Sequence, residues 1–156
     1  MRTQAPILAL MVILLSGVSI AVAQDKSPQP DGENLKQQTA VIHLSHFSDD
    51  LHRAFMALKI ASMMQEGGVE TSLFLDIEGA RLSDSRQSLD VHWGPSPTKL
   101  GDLFDAFVKS GGKVAVCPHC AKAAGIAATH VRPGARIATE DELAALLIGA
   151  DKIMDY

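Results

Sequence analysis

Lys113-Val114-Ala115-Val116-Cys117-Pro118-His119-Cys120-Ala121-Lys122-Ala123-Ala124-Gly125 divides in two. Its first four residues are short and rich in β-branched side chains, the pattern of a strand. Its last five are good helix formers closed by a glycine. The two cysteines between them, the chain's only two, therefore fall where a strand ends and a helix begins. Pro118 falls near the first helical position, where a missing N–H costs nothing and a fixed φ suits the helix. Cys117 falls at or just before the N-cap, where free N–H groups and the helix dipole favour thiolate over thiol.

Working outward, the same alternation of strand and helix repeats. Ala40-Val41-Ile42-His43-Leu44-Ser45 reads as a strand apolar on both faces, which suits a parallel sheet covered by helices on both sides. Ser48 or Asp49 can cap the next helix. That helix carries Leu51, Ala54, Phe55, Leu58 and Ala61 at spacings of three and four and stops at Gly67-Gly68. A second strand follows over residues 69–75. Residues 76–96 show no clean period and contain Gly94, Pro95, His92 and Trp93; a loop of this length in a compact domain is functional or flexible. A helix from Thr98 carries Leu100, Leu103, Phe104 and Phe107 and stops at Gly111-Gly112. After the cysteine turn come a short strand over residues 135–138, a capping box at Thr139-Glu140-Asp141-Glu142 opening a helix, and a last strand near residues 151–156. The expected fold is α/β: a three-layer α/β/α sandwich around a mostly parallel five-stranded sheet.

The amino terminus reads differently. Residues 7–15 are an unbroken apolar run, and Ala21-Val22-Ala23 places small residues where a signal peptidase reads them. We expect a secretory signal over residues 1–23, cleaved before Gln24, a flexible polar tether over 24–38, and the folded domain over 39–156. The alternative is an uncleaved anchor, for which residues 7–23 are only marginally long. The mature protein is expected in the periplasm or secreted, with no stable membrane insertion after cleavage. The 156-residue chain, 47% hydrophobic and with formal net charge −4, offers no electrostatic reason for nucleic-acid binding.

In open parallel sheets, sites gather at the carboxyl ends of the strands. Cys117, His46 and the irregular loop after Asp76 all arrive at that edge. The Cys-x-x-Cys pair then has three readings. It is a redox-active or sulfur-handling dithiol, a structural disulfide closing a very short loop, or part of a soft-metal site completed by histidines. His46 lies past its strand and can act on a ligand. His119, between the cysteines, can lower a thiol pKa as a cation. His43, just inside its strand, reads either as a hydrogen-bonded core residue or as part of the same edge.

Several of these pieces together resemble the DsrE/DsrF-like family of small sulfur-handling proteins. They are the opening strand with Asp50 and Ala54 in the helix that follows, Gly67-Gly68-Val69-Glu70, Cys117-Pro118-His119-Cys120-Ala121 with Gly125-Ile126, the capping box after Ala138, and Ala150-Asp151-Lys152-Ile153 with Tyr156. The resemblance implies an α/β/α sandwich that assembles into homo-trimers or hexamers. It implies that Cys117 carries sulfur as a persulfide, as in the TusD and DsrE subunits, with Cys120 as a second cysteine found in many relatives. On this reading Cys117 takes sulfur from a donor protein, Cys120 resolves the persulfide, and His46 and His119 tune the thiolate. No cofactor or metal is implied; the partners are sulfur donor and acceptor proteins. Sulfur-relay members act in the cytoplasm, whereas this chain carries an export pattern. That departure leaves an alternative: an oligomeric binding module in which the cysteines are ligands or a disulfide.

Overall fold

A computed structural model describes residues 37–156 of the chain. The expected signal segment and all but the last two residues of the expected tether lie outside the described residues.

Five strands form one sheet: β1 (Thr39–Leu44), β2 (Glu70–Leu75), β3 (Lys113–Val116), β4 (Ala135–Ile137) and β5 (Lys152–Asp155). They run in the order β4-β3-β2-β1-β5, and every pairing is parallel. Between them lie α1 (Leu51–Glu66), α2 (Leu100–Lys109), α3 (Pro118–Ala123) and α4 (Glu140–Ile148). The chain steps three times in one direction, from β1 to β4, and then returns past all of them to β5. Parallel crossovers are right-handed, so the first three connections lie over one face and the last over the other.

The first face holds the core. Ile42, Leu44, Leu73, Leu75, Val114 and Val116 pack with Phe55, Leu58, Phe104 and Phe107 from α1 and α2 and with Ala121 from α3. Each of these side chains larger than alanine, fully removed from water, contributes roughly 1.5–3 kcal/mol. Among the described residues, α4 is the only helix over the second face, and no residue of α4 is buried. It carries Val41, Ser72 and Ala115 beside Arg136 and Glu142. The expected capping box of α4 forms: Thr139 Oγ1 accepts from the Glu142 N–H at 3.2 Å, and Glu142 Oε2 accepts from the Thr139 N–H at 2.8 Å.

Local differences from the sequence reading have physical reasons. The cap of α1 is Asp50, which accepts the Arg53 N–H at 3.1 Å. Asp49 is turned instead to the Phe47 N–H at 2.8 Å. The helix expected from Thr98 begins at Leu100, with Lys99 as its N-cap. Within the stretch expected to be irregular, residues Ile77–Ser83 form a 3-10 helix that buries Gly79, Ala80, Leu82 and Ser83. Its buried residues follow no single spacing, so it carries no periodic signal in the sequence. The following loop is tied down by arginines. Arg86 is bidentate to Asp84 and also donates to the Gly125 carbonyl, and Arg132 donates to the carbonyls of Leu82, Asp84 and Gln87. Trp93 stacks on His52 with ring centres 3.9 Å apart.

Candidate functional site

The carboxyl edge of the sheet is where the chemistry collects. Val116 ends β3, the Cys117 N–H donates to the Leu75 carbonyl at 2.9 Å, and α3 starts at Pro118. Cys117 is the N-cap, as the sequence suggests, but its side chain makes no capping hydrogen bond. Proline at N1 has removed one N–H, and six residues of helix offer little dipole. Both cysteines are free and half-buried, and they approach to 3.3 Å.

The backbone donor to sulfur comes from another loop. The Ile77 N–H bonds to the Cys120 thiol. Ile77 has φ +45°, a left-handed conformation that is a true outlier for a β-branched residue and costs on the order of 1–3 kcal/mol. Its neighbours hold it there. The Asp76 N–H donates to the Leu44 carbonyl, the Ala80 N–H to the Asp76 carbonyl, and the Gly79 N–H to the Ser45 carbonyl. Gly79 passes so close to the Leu44 carbonyl that a Cβ would collide with it. The 3-10 helix is thereby seated on the end of β1, and its first peptide points at Cys120. Burial raises the Cys120 pKa; the Ile77 N–H opposes this, while the neighbouring Cys117 and the charge of Asp76 add to the rise. A shallow hollow beside the thiol is lined by Cys120, Ile77, Glu78, Arg81, Ala123 and Ala124.

Asp76 also reaches the other way. Its Oδ1 accepts from Ser45 Oγ at 2.8 Å and lies 3.0 Å from His43 Nε2. His43 Nδ1 bonds Asp155 Oδ1 at 2.7 Å, and its ring stacks on Phe74 at 4.9 Å. The register explains the gathering: His43 pairs with Phe74 on β2 and with Asp155 on β5. Ser45 and Asp76 follow two residues on from His43 and Phe74, so alternation brings them to the same face. Burial pulls the His43 pKa down, but the bonds to Asp155 and Asp76 outweigh it and the net shift is upward. Ser45 Oγ lies 3.2 Å from His43 Nε2, which gives a Ser-His-Asp outline. A carboxylate at each nitrogen favours the protonated imidazole, which works against the base role such a triad needs.

Of the residues singled out in the sequence, Cys117 and Cys120 come together. His46 and His119 sit at the same edge but are each held by a carboxylate: His46 Nδ1 by Asp49 Oδ2 at 2.5 Å, and His119 Nε2 by Glu140 Oε1 at 2.9 Å. Among the described residues, neither histidine is hydrogen-bonded to a cysteine. The sequence reading passed over Asp76, Ile77 and Asp155 and left His43 open between a core residue and one at the edge. The signal that could have found them is alternation: His43 and Ser45, and Phe74 and Asp76, are polar or aromatic breaks at i, i+2 in otherwise aliphatic strands. Among the described residues, no cluster of three or more His, Cys, Asp or Glu side chains is arranged to hold a metal ion, and no helix is long and apolar enough to cross a membrane.

Comparison with known proteins agrees with this architecture. The chain is 29% identical over 106 residues to the uncharacterized protein MJ0989 of Methanocaldococcus jannaschii, a match spanning 67% of this chain and 87% of that one. The crystal structure of the ychN protein from E. coli superposes with a TM-score of 0.63 at 19% identity, over 77% of this chain and 99% of that one. A protein of unknown function from Methanobacterium thermoautotrophicum, MTH1491, superposes with a TM-score of 0.58 at 13% identity, over 76% and 99%; at such identities these likenesses concern the fold. The sequence profile of one family matches residues 38–156, the whole sheet and all four helices, and the chain belongs to the DsrE/DsrF-like family.

Proposed function

We propose that this protein is an exported sulfur carrier that handles sulfur as a persulfide on its cysteine pair. The observation that carries the reading is the pair itself: two free thiols 3.3 Å apart at the end of a parallel strand, with a backbone N–H aimed at one of them. In the first step the Cys117 thiolate attacks the outer sulfur of a donor persulfide. A new S–S bond forms on Cys117, and the donor leaves as a thiolate. In the second, the Cys120 thiolate attacks Cys117 Sγ. A Cys117–Cys120 disulfide forms, the outer sulfur leaves as hydrosulfide, and the proton lost from Cys120 goes to solvent or to the leaving group. An external dithiol then supplies the two electrons and two protons that restore the thiols. Ile77 N–H stabilises the Cys120 thiolate in the second step, a charge-assisted bond of the kind that lowers thiol pKa values. His46 and His119 act from the rim, through space, as cations when protonated.

Export is supported by the residue pattern at 1–23, and the carrier then works in the periplasm or outside the cell. Assembly into a homo-oligomer is supported by the exposed Ile148 and Ile153, 86% and 47% accessible, on the thinly covered side of the sheet.

Intact mass after polysulfide treatment tests the chemistry. Added sulfur is expected to be retained on Cys120→Ser and lost on Cys117→Ser, while the wild type goes on to the Cys117–Cys120 disulfide. No adduct on any of the three would overturn the proposal. The mass of protein taken from its native compartment tests export: a chain beginning at Gln24 is expected, and one retaining residues 1–23 would refute cleavage.

A further inference from the structure

A line of alternating charge crosses the carboxyl edge of the sheet. It runs from Asp155 on β5 to His43 on β1, then to Asp76 after β2, and ends at Cys120 on α3. The links are 2.7 Å from Asp155 to His43 and 3.0 Å from His43 to Asp76. Ile77, the residue after Asp76, lines one hollow with Cys120; its N–H bonds the Cys120 thiol, and the Asp76 charge is the smaller, opposing influence on that thiol. Ser45 Oγ braces Asp76 from β1. His43 touches neither cysteine, so whatever it does to them it does through Asp76.

We propose that His43 is a positioning residue for the cysteine chemistry: as an imidazolium locked between two carboxylates, it offsets the charge of Asp76 and so governs how readily Cys120 forms the attacking thiolate. This rests on the reading of Cys120 as the resolving thiol. The physical reason is the sign of each neighbour. A carboxylate beside a thiol disfavours the thiolate, and a cation on the far side of that carboxylate weakens the effect. His43 and Asp76 are half-buried, 23% and 20% accessible, so water screens their charges less than those of the exposed Asp155. The other charged groups at the site do not upset the order of signs. Glu78 and Arg81, which line the hollow beside Cys120, pair with each other at 2.8 Å. Cys117 is the remaining titratable neighbour of Cys120. Around His43 the groups are Asp76 and Asp155, the uncharged Ser45 and Phe74, and Tyr156, whose N–H donates to the His43 carbonyl.

The arrangement also makes a statement about pH. While His43 is charged, Asp76 is balanced and Cys120 ionises more easily. Once His43 loses its proton, Asp76 stands uncompensated and thiolate formation becomes harder. The resolving step would thus rise less steeply with pH than an isolated thiol would. Asp155 extends the range over which His43 keeps its proton.

The experiment is the pH dependence of iodoacetamide alkylation of Cys120, read in full-length protein carrying Cys117→Ser so that a single thiol reports. In that background His43→Gln is expected to slow alkylation at pH 7.5 about three- to tenfold, the size of a shift of half to one pKa unit. Asp76→Asn is expected to speed it. The decisive arm is the double variant: with Asp76 neutral, His43→Gln should add almost nothing. Asp155→Asn should move the loss of the His43 effect to lower pH. If His43→Gln leaves the profile unchanged, or slows the reaction equally with and without Asp76, the proposal is wrong; the second result would mark a purely structural role. Alkylation does not depend on sulfur loading. A protein that follows this pattern yet takes up no polysulfide sulfur would keep the charge line and lose the carrier function.

Discussion

The two faces of the sheet are built to different standards. On the α1/α2 face, Ile42, Leu44, Leu73, Leu75, Val114 and Val116 are closed off from water by three helices. On the α4 face, Val41, Ser72, Phe74 and Ala115 are also buried, with the half-buried His43 among them, but among the described residues the only helix over them is α4, which has no buried residue of its own. One residue step along β1 moves from a side chain that only stabilises, Ile42, to one that is wired to two carboxylates, His43. The lesson is that stability and chemistry share strands here but not faces. The apolar face makes the frame stiff enough to hold strained or charged groups on the other side and at the edge, where they would not persist alone.

That contrast can be broken by mutation. The largest effect is expected from Ile42→Ala, about 2–5 kcal/mol of unfolding free energy, because the lost methyl groups leave a cavity that the packed helices cannot fill. Urea unfolding would measure it, and a loss below about 1 kcal/mol would mean that the core is less rigid than argued. Next comes Gly79→Ala. A Cβ there meets the Leu44 carbonyl, so the 3-10 helix must lift from β1, at a cost of about 1–3 kcal/mol. The same variant should disturb the Ile77–Cys120 bond and alter Cys120 alkylation, linking frame to site in one measurement. Ile77→Gly should go the other way. It relieves the left-handed backbone and raises stability, or leaves it level where chain entropy offsets the gain, within about 1 kcal/mol. A large destabilisation would show that the exposed Ile77 side chain, 65% accessible, has a packing role not seen in the monomer.

The smallest effect sharpens the comparison by pH. His43 has a folded-state pKa above its ordinary value, since its bonds to Asp155 and Asp76 outweigh burial. A raised pKa means that folding favours the protonated form. The stabilisation is therefore complete below the unfolded pKa of about 6.5 and is lost as pH climbs through the folded value. Unfolding midpoints measured from pH 5.5 to 9 should decline across this window in the wild type and decline less in His43→Gln. Identical slopes would remove His43 as a source of the pH dependence.

Much of the fold was legible before any coordinates. Strand and helix alternate, Gly67-Gly68 and Gly111-Gly112 end α1 and α2, and the box from Thr139 to Glu142 opens α4, because each of these is a local signal with a local cause. Residues 77–83 were not legible as structure. A seven-residue 3-10 helix has no amphipathic period of its own and depends on Gly79 meeting the end of β1. Of the site, the cysteine pair stood out because spacing along one turn is also spacing in space. The histidines were harder. His46 and His119 sit near the cysteines in expectation, yet each is claimed by a nearby carboxylate, while His43 could also be read as core because its strand neighbours are aliphatic.

The sequence by itself determined the elements, their order and the placing of Cys117 and Cys120 at a strand-to-helix turn, since periodicity, caps and glycine stops act over a few residues. Only the tertiary structure decided which strands are neighbours. His43 and Asp155 are 112 residues apart in the chain and meet because β5 returns to pair with β1; Ile77 and Cys120 line one hollow because β2 lies beside β3. Those contacts depend on register between distant segments, which hydrophobic burial and crossover handedness select together and which no local pattern encodes.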